Sequence, residues 1–392
     1  MSTRTDWGRL STTFEQFFNS EKASGVLLVG GTVIALVVAN SAAGASYHHF
    51  WEQQLGALRL EEWINDGLMA LFFLLIGLEL ERELYSGELS EPRRALLPAV
   101  AALGGMIVPA AIHYSLNANS PTQAGFGIPM ATDIAFALGV LAVLGARVPA
   151  ALKVFVVAYA VMDDLGAIVV IAAFYATDLA ATYLAAAAVV WGLLVVLNRR
   201  RVMSLVPYVL GGVLMWWLLL RSGVHPTIAG VALAFAIPYS AKDPGQVPPS
   251  SRLEHWLHKP VAYAVLPIFA LANTGVTVAS GWMQNLTGPN SLGIFLGLTL
   301  GKPLGVTLSA YAAVASGLCR LPSGVNWPHI IGAGFLGGIG FTMSLFIANL
   351  AFVGTADIVN ASKLAILVSS VTAGVVGYVW LRLSSRPVSV SE

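Results

Sequence analysis

Hydrophobic residues in this chain do not alternate with polar ones. They come in long runs, near 24–40, 62–85, 95–116, 121–144, 149–175, 182–198, 205–220, 223–239, 259–280, 290–312, 328–350 and 358–382. An α-helix needs roughly 20 apolar residues to cross a hydrocarbon core about 30 Å thick, and each run is near that length. The pattern predicts an all-α polytopic membrane protein of about twelve spans, forming one transporter-sized domain over 24–383. Residues 1–23 read as a polar cytoplasmic segment, with Phe14, Phe17 and Phe18 placed to rest on headgroups. Residues 384–392 read as a cytoplasmic tail. The start lacks an apolar core followed by a small-residue cleavage site, so the first run reads as a retained span.

The distribution of Lys and Arg sets the expected orientation. With the first segment inside, the cytoplasmic stretches collect most of the basic residues, Arg199, Arg200 and Arg201 among them. The outside loops keep Arg59 and Arg221. Both termini are therefore expected in the cytoplasm. The longest outside loop, 45–63, holds two short candidate strands around Gln54–Gly56. The longest inside loop, 240–260, is rich in Pro and Ser. Neither is large enough for a soluble domain.

Composition agrees with the pattern and removes other classes. The 392 residues are 57% hydrophobic and 10% charged, against about 25% charged in a soluble protein. A net charge of +1 excludes a polybasic nucleic-acid binder. A single cysteine, Cys319, excludes disulfide scaffolds and thiolate metal clusters.

Charges inside the apolar runs then carry the chemistry. KVFVVAYAVMDDLGAIVVIAAFY (153–175) places Asp163 and Asp164 side by side at its centre. One carboxylate at mid-membrane costs roughly 2.5–3.5 kcal/mol on insertion scales, and a second repels it. Helix neighbours point about 100° apart, so both reach one cavity without facing each other. The fourth run has Gly125, Gly127 and Pro129 just before Thr132 and Asp133. The eleventh has Gly332, Gly334, Gly337, Gly338 and Gly340. Glycine costs a helix about 1 kcal/mol relative to alanine, so both spans invite a mid-membrane break, which is tolerated where it lines a cavity or is buried in protein. Seven spans apart, the two have opposite orientation, which suggests inverted repeats over about 95–175 and 290–382.

Other charged residues have two readings each. Asp133 either offsets the N–H ends of a broken helix or touches an ion. Lys302, mid-span in the tenth run, either makes a buried aspartate tolerable or carries a proton. Asp66 starts the second span, and Glu79, Arg82 and Glu83 close it at ion-pair spacing or serve regulation. His225 reads as a packed histidine at a span entrance. Glu254, His255 and His258 are either solvated or sense cytoplasmic pH.

A hard cation such as Na+ or Li+ takes oxygen ligands. Asp163, Asp164, the Thr132 hydroxyl and freed carbonyls supply them. A site that holds either protons or the cation produces exchange, with loaded states reorienting by rocking one bundle against another. Three other classes fit less well. An intramembrane aspartyl protease needs carboxylates on facing helices. A retinal-type pump, with Lys302 as Schiff base, has seven spans. A passive cation channel has no need of paired interruptions.

The stretches FFLLIGLELERELYSGEL, GIPMATDIAFALGVL, YAVMDDLGAIVVIA, SGVHPTIAGV, GKPLGV and GFLGGIGFTMSLFIANLAF resemble the NhaA-type sodium/proton antiporters of bacteria. The resemblance covers roughly 10–383. It implies electrogenic export of Na+ or Li+ for more than one H+ across the bacterial inner membrane, without a cofactor. It further implies that Asp163 and Asp164 form the ion and proton site and that Thr132 and Asp133 are its partners at the broken spans. Lys302 would pair with Asp163. Glu79, Arg82, Glu83, Glu254, His255 and His258 would form a cytoplasmic pH-sensing group, with Asp66, His225 and Gly338 as accessory positions. The 45–58 loop would be an outside β-hairpin through which two copies associate.

Overall fold

A computed structural model of the protein describes residues 12–87, 90–176, 178–241, 246–278, 283 and 286–385, with side chains from Ser24 onward except at Pro92 and Arg93. The expected headgroup contacts of Phe14, Phe17 and Phe18, and nearly all of the tail, lie outside the described side chains. Among the described residues, seven helices are long and apolar enough to cross a membrane, or up to nine if each of two sharply bent pairs is one span. The sequence reading of about twelve counted shorter segments. Val206–Ser222 has 17 residues, and Ile228–Ala234 has 7, pinched between Pro226 and Pro238.

The chain divides into two compact units. The first comprises Met1–Val29, Glu91–Ala167 and Val276–Glu392. In it the Pro92–Asn117 helix packs along Pro289–Leu296 and Lys302–Ala315. Between those last two segments the helix widens into a π-type turn, Gly297–Gly301. Pro303 lacks an N–H and its ring crowds the carbonyl four residues back, which loosens the helix where Lys302 leaves it.

Both glycine-rich spans of this unit are interrupted. The first runs as a tight 3₁₀ segment, Gln123–Met130, then as extended chain through 131–133, then as the helix Ile134–Leu144. The second is Trp327–Gly337 followed by Phe341–Ala351, bent by 46°. Its break needs glycine for space. A Cβ at Gly338 would lie 2.2 Å from the Leu298 carbonyl oxygen, and one at Gly337 would lie 2.4 Å from the Tyr159 hydroxyl.

The second unit comprises Gly30–Ser90 and Ile168–Gly275. Met69–Tyr85 packs on Ile228–Ala234, and Ala181–Arg199 on Val206–Ser222. Leu74, Leu78, Tyr208, Met215, Leu233 and Ile237 belong to its core. The predicted strands are Gln54–Leu55 and Leu58–Arg59, paired antiparallel with Gln54 opposite Arg59. Gly56 turns the chain at φ +68°, a value that favours glycine.

Candidate ion site

The Ala150–Phe174 helix carries Asp163 and Asp164 into the interior of the first unit, where Asp163 and Lys302 have no exposed surface and Asp164 is 1% exposed. One carboxylate oxygen of Asp163, Oδ2, accepts a hydrogen bond from the Lys302 ammonium, in direct ion-pair contact. The same oxygen accepts from Thr132 Oγ1 at 2.6 Å. Oδ1 of Asp163 is buried and has no hydrogen-bond partner. Lys302 Nζ also donates to Thr132 Oγ1 at 3.1 Å and to the Tyr159 hydroxyl at 3.3 Å.

Thr132 sits on the extended piece of the first broken span, and its hydroxyl also lies 2.8 Å from the Gly337 carbonyl oxygen on the second. A hydroxyl has one proton to donate. It serves either the carboxylate or the carbonyl, so the Asp163 site and the second break share one donor.

Asp133 is the next residue but faces different partners. Its Oδ1 accepts from the Phe136 N–H at 3.2 Å and so caps the Ile134–Leu144 helix. Its Oδ2 accepts from the Thr342 N–H at 3.1 Å and from the Thr342 hydroxyl, at the start of Phe341–Ala351. One carboxylate thus offsets the positive ends of two half-helices. The breaks also bond through backbone, Asp133 N to Ile339 O at 2.6 Å. Of the two readings of Asp133, the helix-end one matches its observed contacts.

The remaining expected residues lie in the second unit. Arg82 forms ion pairs with Glu254 and, at 3.2 Å, with Glu83. Glu79 is 5% exposed, so it does not belong to a solvated face. Burial pushes the Glu254 carboxyl above its ordinary value, against the pull of Arg82, and pushes His258 below its own. Asp66 occupies a wide helical turn, Trp63–Leu68, and its carboxylate lies 3.2 Å from His225 Nε2. His225 Nδ1 is 2.8 Å from the Thr227 hydroxyl. Two of the three accessory positions, Asp66 and His225, are partners of each other.

Three residues escaped the sequence reading. Tyr159 stands one turn before Asp163, a spacing that puts both on one helix face, so its place was readable. Thr342 follows the second break and gave no local signal. Glu81 is 4% exposed, its Oε2 has no hydrogen-bond partner, and it feels the charge of Glu254. It lies about 200° round the helix from Glu79, off the face on which Arg82 and Glu83 were placed.

Comparison with known proteins adds an independent line. The family model described as Na+/H+ antiporter 1 matches residues 15–381. A Na+/H+ antiporter NhaA of Dechloromonas aromatica (strain RCB) is 63% identical over 95% of this chain and 96% of its own length. A protein of the same name from Cytophaga hutchinsonii is 54% identical over 96% of this chain and 97% of its own. One from Escherichia coli O1:K1 / APEC is 48% identical over 95% and 98%. With matches of that extent, the chain belongs to the Na+/H+ antiporter 1 family.

Proposed function

We propose that this chain is a transporter, not an enzyme: a secondary antiporter that exports Na+ or Li+ in exchange for more than one H+, electrogenically. The observation that carries the reading is the buried Asp163–Lys302 contact, beside Asp164, at the crossing of two broken helices. With Lys302 protonated, the two carboxylates leave the site one negative charge in excess. A single monovalent cation offsets it, whereas the proton-loaded site holds two protons, one on Asp163 and one on Asp164, and so differs from the cation-loaded site by one charge. Asp163, Asp164 and the Thr132 hydroxyl are the oxygens that hold the cation, which is cargo and not a resident cofactor. Reorientation of the loaded site then delivers each ion to the opposite side.

The proposed frame is twelve spans in a bacterial cytoplasmic membrane, with both termini inside. The nine spans reached by length, together with Val206–Ser222, Ile228–Ala234 and Leu266–Thr274, support that number. Segments 95–175 and 290–382 are inverted repeats in this reading, supported by an interrupted helix in each. Two copies associate through the 45–58 hairpin.

Competition between protons and cation at one site fixes a sign. Apparent Na+ affinity is expected to fall as pH drops, by about tenfold per pH unit for each proton displaced. Calorimetric titration of the purified protein at several pH values measures it, and a pH-independent constant refutes the shared site. Na+-driven proton movement in proteoliposomes also separates antiport from a passive channel, which would carry Na+ without protons.

The Arg82 cluster is proposed to regulate. Because burial raises the Glu254 value, this carboxyl holds its proton to a higher pH than a solvated glutamate. The ion pair with Arg82 forms as pH rises and is lost as pH falls. Glu254→Gln keeps the protonated form permanently. It is expected to hold exchange at its low-pH level as pH rises, flattening the rise that follows ionisation of Glu254. An unmoved profile argues for a purely structural cluster.

A further inference from the structure

The ion site contains a phenol that neither carries charge nor ligates the cation. Tyr159 has no exposed surface and lies one turn before Asp163 on the same helix. Its ring stacks on Phe155, with centroids 6.3 Å apart and planes 11° from parallel. Its hydroxyl lies 3.3 Å from Lys302 Nζ and 3.4 Å from Thr132 Oγ1. Lys302 Nζ also stands 5.6 Å from the centre of its ring. Glycines on two other helices leave room for the hydroxyl. A Cβ at Gly105, on Pro92–Asn117, would crowd it at 3.1 Å, and one at Gly337 would overlap it. A hydroxyl buried in this way is costly unless it is hydrogen-bonded, so its partners are the guide to its use.

The charges met by Lys302 change during exchange. Among the described residues, the charged groups that act on it are Asp163 and Asp164. With the cation bound, both are ionised and Lys302 keeps its pair with Asp163. With a proton on each, neither opposes the ammonium. The site then carries one net positive charge, located on Lys302 in a region of low dielectric. A protonated Asp163 still offers an oxygen, but no charge. The other acceptors around Nζ are Thr132 Oγ1 at 3.1 Å and the Tyr159 hydroxyl. A phenol oxygen accepts a hydrogen bond, and an aromatic ring attracts a desolvated cation within about 6 Å. Tyr159 supplies both from one side chain.

We propose that Tyr159 is a positioning residue for the proton-loaded half of the exchange cycle, holding the Lys302 ammonium when Asp163 is protonated. The inference rests on the reading of Asp163 and Asp164 as one site shared by protons and cation. Lys302 changes its main partner without travelling, because Asp163 and Tyr159 lie one turn apart on one helix and both contact the same Nζ. Tyr159 therefore stabilises the proton-loaded site more than the cation-loaded one. Removing its hydroxyl shifts the balance toward the cation by that difference.

The test is calorimetric Na+ titration of purified Tyr159→Phe beside wild type, at an acid and an alkaline pH, with Na+-driven proton exchange measured in proteoliposomes. Phenylalanine keeps the ring and loses the hydroxyl. At acid pH the variant is expected to bind Na+ about fivefold more tightly than wild type. At alkaline pH, where the site holds no protons, the two affinities are expected to agree. In acid, maximal exchange and the Na+ concentration for half-maximal exchange are expected to fall together. A purely structural defect would instead weaken binding at both pH values. Tyr159→Leu, which also removes the ring, is expected to enlarge the acid-pH difference and carries the comparison should the phenylalanine variant misfold. Equal affinities of variant and wild type in acid, or the same change at both pH values, overturn the role of Tyr159. A wild type whose Na+ affinity is independent of pH overturns the shared site itself, and this role with it.

Discussion

Replacing Asp164 with asparagine is expected to abolish Na+-driven proton exchange, by at least about two orders of magnitude. The argument is one of charge. Asp163 is held by Lys302 and Thr132 in the buried interior, so its negative charge is already matched. Asp164 supplies the excess charge that a cation needs to enter low dielectric without leaving a net charge behind. Asparagine keeps the size and an oxygen ligand, but neither the charge nor the proton. Proteoliposomes loaded at a fixed pH and challenged with Na+ or Li+ measure the effect, with Asp163→Asn alongside. Gradient dissipation by Asp164→Asn at the wild-type rate would remove the pair from the mechanism. Equal melting temperatures for variant and wild type would show that the loss is chemical.

The second large effect is on stability. Lys302→Ala leaves the Asp163 carboxylate buried without its cation, and breaking a buried pair by removing one partner costs about 3–5 kcal/mol. A marked drop in melting temperature is expected at neutral and alkaline pH. A proton can replace the lysine as neutraliser, so the loss is expected to shrink in acid. The double variant Asp163→Asn with Lys302→Gln replaces the ion pair by a neutral hydrogen bond. It is expected to restore stability and to leave exchange absent. Restored exchange in that variant would show that this ion pair is dispensable for transport. A melting temperature of Lys302→Ala equal to wild type at all pH values would show that the lysine does not steady the aspartate.

The features legible beforehand were those written in local sequence. Two adjacent carboxylates in an apolar run, and glycines clustered just where a hydroxyl and an acid follow, announce a site and its interruptions. So does a lysine followed by proline in mid-span. The pairings were less legible. Lys302 meets Asp163 across 139 residues, and Thr342 meets Asp133 across 209. Nothing in either local stretch specifies the other. The Asp66–His225 contact joins two positions that each looked like a span entrance. Span counting was least secure where Pro226 and Pro238 cut a helix to seven residues, since hydropathy registers apolar length and not helical length.

The crossing of the two broken spans also sets a timetable for biogenesis. The extended piece around Asp133 finds its partners at Ile339 and Thr342, which leave the ribosome about 200 residues later. At synthesis rates of about 5–20 residues per second the first break waits roughly 10–40 s inside or beside the translocon. During that wait the Asp133 amide lacks Ile339 and its carboxylate lacks Thr342, keeping only the Phe136 N–H of its own helix. Nascent chains stopped before residue 342 are therefore expected to be open to quality-control proteolysis, whereas chains stopped soon after it already contain both halves of the latch. Radiolabelled truncation series in a membrane-insertion assay would show protease resistance rising at that point of the chain.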